Sequence, residues 1–501
     1  MLNKKLLRAF YMLVYILLIS FIVSGLSNLY GYLNTGADRS RLMLAEVKET
    51  DQYIPGMKWD TMQNVGRYLD KESLSAIQED FVDALYTKHV AYKLNTKRGV
   101  DTYFTKSSKK NIYEIIEYNK KNNVRTDETT LTHNIDVHLF SEDGILIAFK
   151  DKDVHEYKRI YQNDSLVLET EELVDYEFVM MLEDGFWRIR HMVKQNAKDF
   201  HFEPPTHNAK LDIKGINYYP KEHPWNMYGA NFDKDAINTD FKILANAGLN
   251  TLRVFVPYNT FGRANVYEEI LDQLVEMMDI AQKHNLKVIV TLFDFYGNYD
   301  VYDWTLNQRH VEIIAGKLKE HPALLAWDIK NEPDLDMPTR GTKTVTAWLK
   351  NMIRFIKMID PNTPVTIGWS NAEAAKILKD QVDFVSFHFY IDLNLFEETY
   401  LKLKKEVGDK QVVVGEFGLS SYDGFWYLNG NDENDQANYH KTIQEYFKKY
   451  DLGFASWTMY DFKEVPNAVL GWKPWLKNLQ KRYGFIDEKG NKKPAFKYIV
   501  N

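Results

Sequence analysis

The sequence predicts an α/β protein: a (β/α)8 TIM barrel over residues 207–501, preceded by a small α+β domain and an N-terminal transmembrane helix. Three observations predict it. An uncharged apolar run lies close behind the amino terminus. A helical stretch followed by period-two alternation occupies residues 45–194. After the Glu203-Pro204-Pro205 interruption, eight short apolar runs alternate with amphipathic segments through to the carboxyl terminus.

The first element is the run from Ala9 to Leu29, long enough for a bilayer and free of charged side chains. Lys4, Lys5 and Arg8 lie in the basic tail of residues 1–8, so the tail is expected in the cytoplasm and the remainder of the chain outside the cell. Tyr11, Tyr15, Tyr30 and Tyr32 flank the run as interface aromatics do. Its length favours an uncleaved single-pass anchor in the cell membrane over a signal peptide, for which Ser24-Gly25 is the candidate cleavage site. The chain has no cysteine, so lipidation at cysteine, disulfides and thiolate chemistry are excluded.

In the second element, Leu74, Ile77, Phe81, Leu85 and Val90 recur at helical spacing within 73–93, and 111–118 reads as a shorter helix. Alternation then places Ile135, Val137 and Leu139 on one face, and Tyr176, Phe178, Met180 and Leu182 on another. Trp187, Ile189, His191 and Val193 continue after an Asp184-Gly185 hairpin turn. Helices followed by a meander that ends in this tryptophan strand resemble the NTF2-like cone fold. The domain carries no cluster of acids, bases or metal ligands, so a spacer or a surface for a protein partner is expected of it. His133, His138, His155 and His191 read as structural histidines.

The eight runs of the third element are 213–218, 251–256, 287–293, 324–330, 365–369, 384–390, 412–416 and 454–458. They are apolar nearly throughout, as strands covered on both faces are. Ile270, Leu271, Leu274, Val275, Met278 and Ile280 mark one face of an intervening helix. Arg253, Glu332, His388, Tyr390, Glu416 and Trp457 all fall at strand carboxyl ends, and a closed ring points such residues at one centre.

Composition narrows the partners. A net charge of −7 offers no basic stripe, so nucleic acid is not expected. No metal-ligand spacing or glycine-rich phosphate loop stands out, and no cofactor or metal is expected. Aromatic residues make up 14% of the chain, enough for both core packing and sugar stacking.

Asn331-Glu332-Pro333 and Gly415-Glu416-Phe417-Gly418 end the fourth and seventh runs. Two carboxylates facing each other across a barrel mouth are what glycoside hydrolysis needs. With these motifs, residues 211–498 resemble the clan A glycoside hydrolases, closest to the family 5 cellulase and mannanase group. The resemblance implies that Glu332 is the acid/base and Glu416 the nucleophile of a retaining enzyme acting at a β linkage. It also matches Arg253 to the strand-two arginine, His388 and Tyr390 to the strand-six His-x-Tyr, and Trp457 to the strand-eight tryptophan. Asn331 would bind the sugar 2-hydroxyl, Tyr390 and Arg253 would steady Glu416 as a carboxylate, and Trp457 would be the stacking floor. A buried ion pair beneath the mouth is the alternative reading of Arg253. One departure stands out: Asp294-Phe295-Tyr296-Gly297 follows the third run, where the family often has a histidine.

Trp225, Trp304, Trp369, Trp472 and Trp475 are further candidates for the sugar-facing side, and Asn217 and Tyr218 for hydroxyl contacts. The expectation is a membrane-anchored retaining β-glycosidase cutting a β-linked polysaccharide or oligosaccharide of glucan or mannan type by double displacement. Transglycosylation by the same pair, and a noncatalytic scaffold in a surface polysaccharide assembly system, are the alternatives. Both glutamates are present, which disfavours the scaffold.

Overall fold

A computed structural model describes residues 14, 17–23, 53–203, 205, 207, 210–424, 430–470 and 473–500. Met1–Gln52 and Tyr53–Asn501 separate into two compact units. In the first, Val14 and residues 17–23 are helical and exposed. Among the described residues no helix is long and apolar enough to cross a membrane. The basic tail and most of the expected anchor over 9–29 lie outside the described residues.

The second unit begins with the small domain. Strand β1 (Gly56–Asp60) leads to helix α1 (Lys71–Leu94), whose N-terminus is capped by the Asp70 carboxylate accepting from Ser73 N. Helix α2 (Ser108–Asn122) follows, closed by Asn123 in the left-handed conformation. Strands β2 (Val124–Thr130), β3 (Thr132–Phe140), β4 (Leu146–Gln162), β5 (Ser165–Glu183) and β6 (Phe186–Asp199) complete a sheet of order β1-β3-β4-β5-β6, with β2 pairing the second half of β4. The Asp184-Gly185 turn forms where expected, both residues having positive φ. Two details differ from the sequence reading. Strand β6 runs on to Asp199, because the long β5 offers Glu172 as its partner. Leu139 is exposed and Phe140 buried, because a bulge between Val137 and Leu139 reverses the alternation.

The barrel strands are β7 (Lys214–Asn217), β8 (Thr251–Pro257), β9 (Lys287–Asp294), β10 (Leu324–Asn331), β11 (Val365–Trp369), β12 (Val385–Phe389), β13 (Val412–Phe417) and β14 (Gly453–Ser456). They close in the order β10-β11-β12-β13-β14-β7-β8-β9. Helices α3 (Lys234–Asn246), α4 (Glu268–Lys283), α5 (Trp304–Leu318), α6 (Thr342–Ile359), α7 (Phe396–Val407) and α8 (Glu433–Tyr450) cover the outside. A capping box between Asp432 and Asp435 starts α8. Inside the barrel, Ile213, Ile289, Ala326, Phe384 and Val413 form a separate apolar cluster.

The small domain packs against the barrel. Tyr157 of β4 stacks on Trp304 at 4.4 Å, and Leu131 and Tyr157 join the barrel's own core. Arg159, buried in β4, donates to the carbonyl of Lys343 at 2.9 Å. Tyr302 donates to the His89 carbonyl at 3.1 Å, and Lys93 pairs with Asp300 at 2.6 Å. The segment between β9 and α5 therefore meets the small domain at one end and the barrel mouth at the other.

Candidate active site

Three barrel strands reach the mouth with one extra residue each. In β10 the step from Asp328 to Asn331 faces the shorter step from Thr366 to Gly368 on β11. In β13 the step from Val414 to Glu416 faces adjacent residues Phe387 and His388. In β9 the step from Thr291 to Asp294 faces Phe255 to Pro257. Such bulges re-aim side chains beside active sites. Here they precede Glu332, Glu416 and Asp294. Glu332 itself has φ 47° and ψ 50°, a left-handed conformation that costs a non-glycine residue about 1–3 kcal/mol and is held by its N–H donating to the Gly368 carbonyl at 2.7 Å. Phe295 and Trp225, also at the mouth, share positive φ. The Trp457–Thr458 peptide is cis.

Arg253 organises the floor. Its Nε and Nη2 donate to Asp328 Oδ2 at 2.9 and 2.6 Å, Nη1 to Asn217 Oδ1 at 2.8 Å and Glu416 Oε1 at 2.7 Å, and Nη2 to Asn331 Oδ1 at 2.8 Å. These contacts match the five N–H groups a guanidinium has. Asp328 also accepts from Thr291 Oγ1 at 2.8 Å and Gly368 N at 2.9 Å, so this buried carboxylate is satisfied on both oxygens. One side chain thus pairs with Asp328 below and contacts Asn331 and Glu416 above.

His388 Nδ1 lies 2.7 Å from Glu332 Oε1, and the Tyr390 hydroxyl donates to Glu416 Oε2 at 3.1 Å. Burial alone would raise the Glu332 carboxyl, but the hydrogen bond and charge of His388, with Arg253 and Lys330 behind it, hold it below the usual range. Burial would lower His388, yet Glu416 and Glu332 together raise it. Both shifts favour the charged forms of the two partners. Tyr390 is raised well above an ordinary phenol, first by burial of its hydroxyl and then by Glu416, although its ring is partly exposed. It therefore remains a donor at neutral pH.

A cleft of about 550 Å³ lies over this floor. Asn331, Glu332, Glu416, Tyr390 and Trp457 line it, as the sequence expects. Arg253 and His388 lie just beneath. Donor atoms of Glu332, His388 and Glu416 fall within 4.8 Å of one another, close enough to hold a cation. Arg253 already supplies the positive charge at Glu416, which fits a pair of working carboxylates better than a metal centre.

Other candidates fall elsewhere. Trp225 lines the cleft, whereas Trp304 is buried against Tyr157, Trp369 is buried in β11, and Trp475 is exposed away from the lining. Trp472 lies outside the described residues. Tyr218 turns away to donate to Asp240 at 2.9 Å, and its neighbour Tyr219 takes the place at the cleft. Asn217 serves Arg253 and the Gly415 carbonyl rather than the cleft surface. Asp328 and Lys330 were missed by motif reading. Charged residues inside an otherwise apolar strand signal a need for partners, and that signal could have found them.

A closed parallel barrel with two opposed carboxylates at its mouth has the layout of a glycoside hydrolase. The family described as cellulase (glycosyl hydrolase family 5) matches residues 209–463, and the chain belongs to it. Human beta-glucuronidase is 24% identical over 318 residues, 57% of this chain and 42% of that protein. Mannan endo-1,4-beta-mannosidase 3 of Arabidopsis thaliana is 23% identical over 317 residues, 45% of this chain and 76% of that protein. The chain spans about two fifths of the length of the glucuronidases it matches. Among solved structures, an exo-beta-1,4-mannosidase from Opitutaceae bacterium strain TAV5 aligns with a TM-score of 0.47 and 18% identity, covering 58% of each chain. A family 5 subfamily 18 protein from Streptomyces cattleya, in complex with GlcNAc, gives 0.47 and 16%, covering 58% of this chain and 79% of that one.

Proposed function

We propose that this protein is a retaining β-glycosidase that cleaves a β-linked glycan of glucan or mannan type, held at the outer face of the cell membrane through residues 9–29. The observation that carries the mechanism is the spacing of the glutamates, whose facing oxygens lie within 4.8 Å. That lies near the roughly 5–5.5 Å separation of retaining enzymes and short of the gap of about 6.5–9.5 Å of inverting ones, and so supports retention.

In the first step Glu416 attacks the anomeric carbon and the glycosidic bond breaks as its oxygen takes the proton held by the Glu332–His388 pair. A glycosyl ester on Glu416 results. In the second step Glu332 accepts a proton from water, whose oxygen attacks the same carbon and frees Glu416. Arg253 and Tyr390 hold Glu416 as attacking carboxylate and later as leaving group. Asn331, fixed by Arg253, faces the ring hydroxyl nearest the nucleophile. The β-glucuronidase and β-mannosidase names of the relatives support a β-glycoside as substrate. The anchor rests on the apolar run alone.

The test is hydrolysis of a panel of β-glucans and β-mannans by the full chain, with nuclear magnetic resonance of the first product anomer. Glu416→Gln and Glu332→Gln should each lower kcat at least about 10²- to 10⁴-fold. An inverted first product, or either variant cleaving at the wild-type rate, overturns the mechanism.

A further inference from the structure

The cleft holds a third carboxylate that the double displacement does not use. Asp294 ends β9 and enters the cleft behind a bulge, as the two glutamates do on β13 and β10. It is 5% exposed, and the Tyr219 hydroxyl, 3.3 Å from Oδ2, is its one side-chain hydrogen-bond donor among the described residues. A buried carboxylate has about four acceptor sites, so most of this group's capacity is left for a ligand. Burial pushes its pKa up to about 6 against the pull of Lys330 and Arg253, with Tyr219 lowering it and Glu416 raising it. At neutral pH it is an acceptor.

Lys330 stands beside it in the same wall, also 5% exposed. Its ammonium donates to the Asn331 carbonyl at 3.2 Å and lies 3.4 Å from Asp336, leaving donor capacity toward the cleft. The lining carries the carboxylates Asp294, Glu332, Asp336 and Glu416 against the single ammonium of Lys330. A hexuronate would bring a fifth negative charge into that field, where Lys330 is already shared with Asp336 and Arg253 beneath is already bonded to Asp328 and Glu416. Acceptor and donor side by side suit the adjacent hydroxyls of an uncharged sugar.

Resting on the glycosidase reading above, we propose that Asp294 and Lys330 bind hydroxyl groups of the substrate sugar and exclude acidic sugars from this cleft. Asp294 thereby stands where the wider family often has a histidine.

The experiment compares kcat/KM of the full chain on aryl β-glucoside, β-mannoside, β-glucosaminide and β-glucuronide, for wild type, Asp294→Asn and Lys330→Gln, with melting curves for each. Wild type should favour an uncharged glycoside over the glucuronide by roughly a hundredfold or more. Asp294→Asn should lose about 10- to 100-fold on the uncharged substrate while its preference over the glucuronide narrows. Lys330→Gln should lose a similar factor on the uncharged substrate and widen its preference over the glucuronide. A variant that lowers all substrates equally has only a structural role, and that result overturns the proposal. So does a wild type that prefers the glucuronide, although the glycosidase reading then stands. Cleavage of none of the four, nor of the polymer panel, defeats both. If Asp294→Asn fails to fold, the wild-type preference and Lys330→Gln still decide the question.

Discussion

Gly368 is the position at which a single methyl group should dismantle the site. It lies in β11 under the guanidinium of Arg253, and a Cβ there would stand 2.6 Å from Nη2 and 3.2 Å from both Asp328 Oδ2 and His388 Nε2. Ordinary contact begins at 3.4 Å, so in Gly368→Ala the guanidinium must retreat by 3.4 − 2.6 = 0.8 Å. Its Nη2 bonds to Asp328 and Asn331 are 2.6 and 2.8 Å long. A displacement of that size stretches them to at most about 3.4 and 3.6 Å, the limit of hydrogen bonding. Nη1 moves with the same planar group, and Glu416 moves or loses its partner. Overpacking of this kind costs about 1–3 kcal/mol of stability. Misplacement of a catalytic group by about 1 Å costs near 10²-fold in rate. Kinetics on whichever glycan the wild type cleaves, beside a calorimetric melt, measures both. Retention of kcat/KM within threefold at an unchanged melting temperature would refute the reasoning, because the guanidinium would then have room that the packing denies it.

Other outcomes follow from the same geometry. Gly316, inside α5, has nothing within 4 Å of its missing Cβ, so Gly316→Ala should stabilise by about 0.5–1 kcal/mol, and a lowered melting temperature would contradict it. Asp240 is pushed up to about 6 by burial, despite the hydroxyls of Tyr460 and Tyr218. Its folded pKa lies above its unfolded one, so its contribution is full below about pH 4 and is lost as pH rises through 6. That loss amounts to about 3 kcal/mol, and Asp240→Asn should gain on the wild type by that order between pH 4 and 7 in paired melts. A pH-independent difference would exclude it. Arg159→Ala removes a buried guanidinium from the contact between the small domain and α6, and should cost about 1–3 kcal/mol with kcat unchanged.

The barrel was legible residue by residue, because strands covered on both faces read as apolar runs and each ends where the chain turns polar. Val365–Trp369 was placed to the residue and the other seven strands to within two residues. Glu332 and Glu416 were legible because their motifs sit at strand ends, a position that itself carries meaning in a closed ring. The bulges were not. An extra residue in β9, β10 or β13 leaves no mark on hydrophobic pattern, since both faces of these strands are apolar, yet it decides which side chain faces the cleft. The exposure of Leu139 was settled by the same kind of local geometry. Trp304 shows the other limit. A tryptophan after a strand end reads as sugar-facing, but Trp304 is core, packed with the barrel and with Tyr157 from a domain distant in sequence. The sequence by itself determined the class of fold and set Glu332 and Glu416 at the ends of two strands, because periodicity and motif are local. Only the tertiary structure decided that Arg253 joins Asp328, Asn217, Asn331 and Glu416, and that Asp294 and Lys330 share one wall, since these contacts join strands separated by tens of residues.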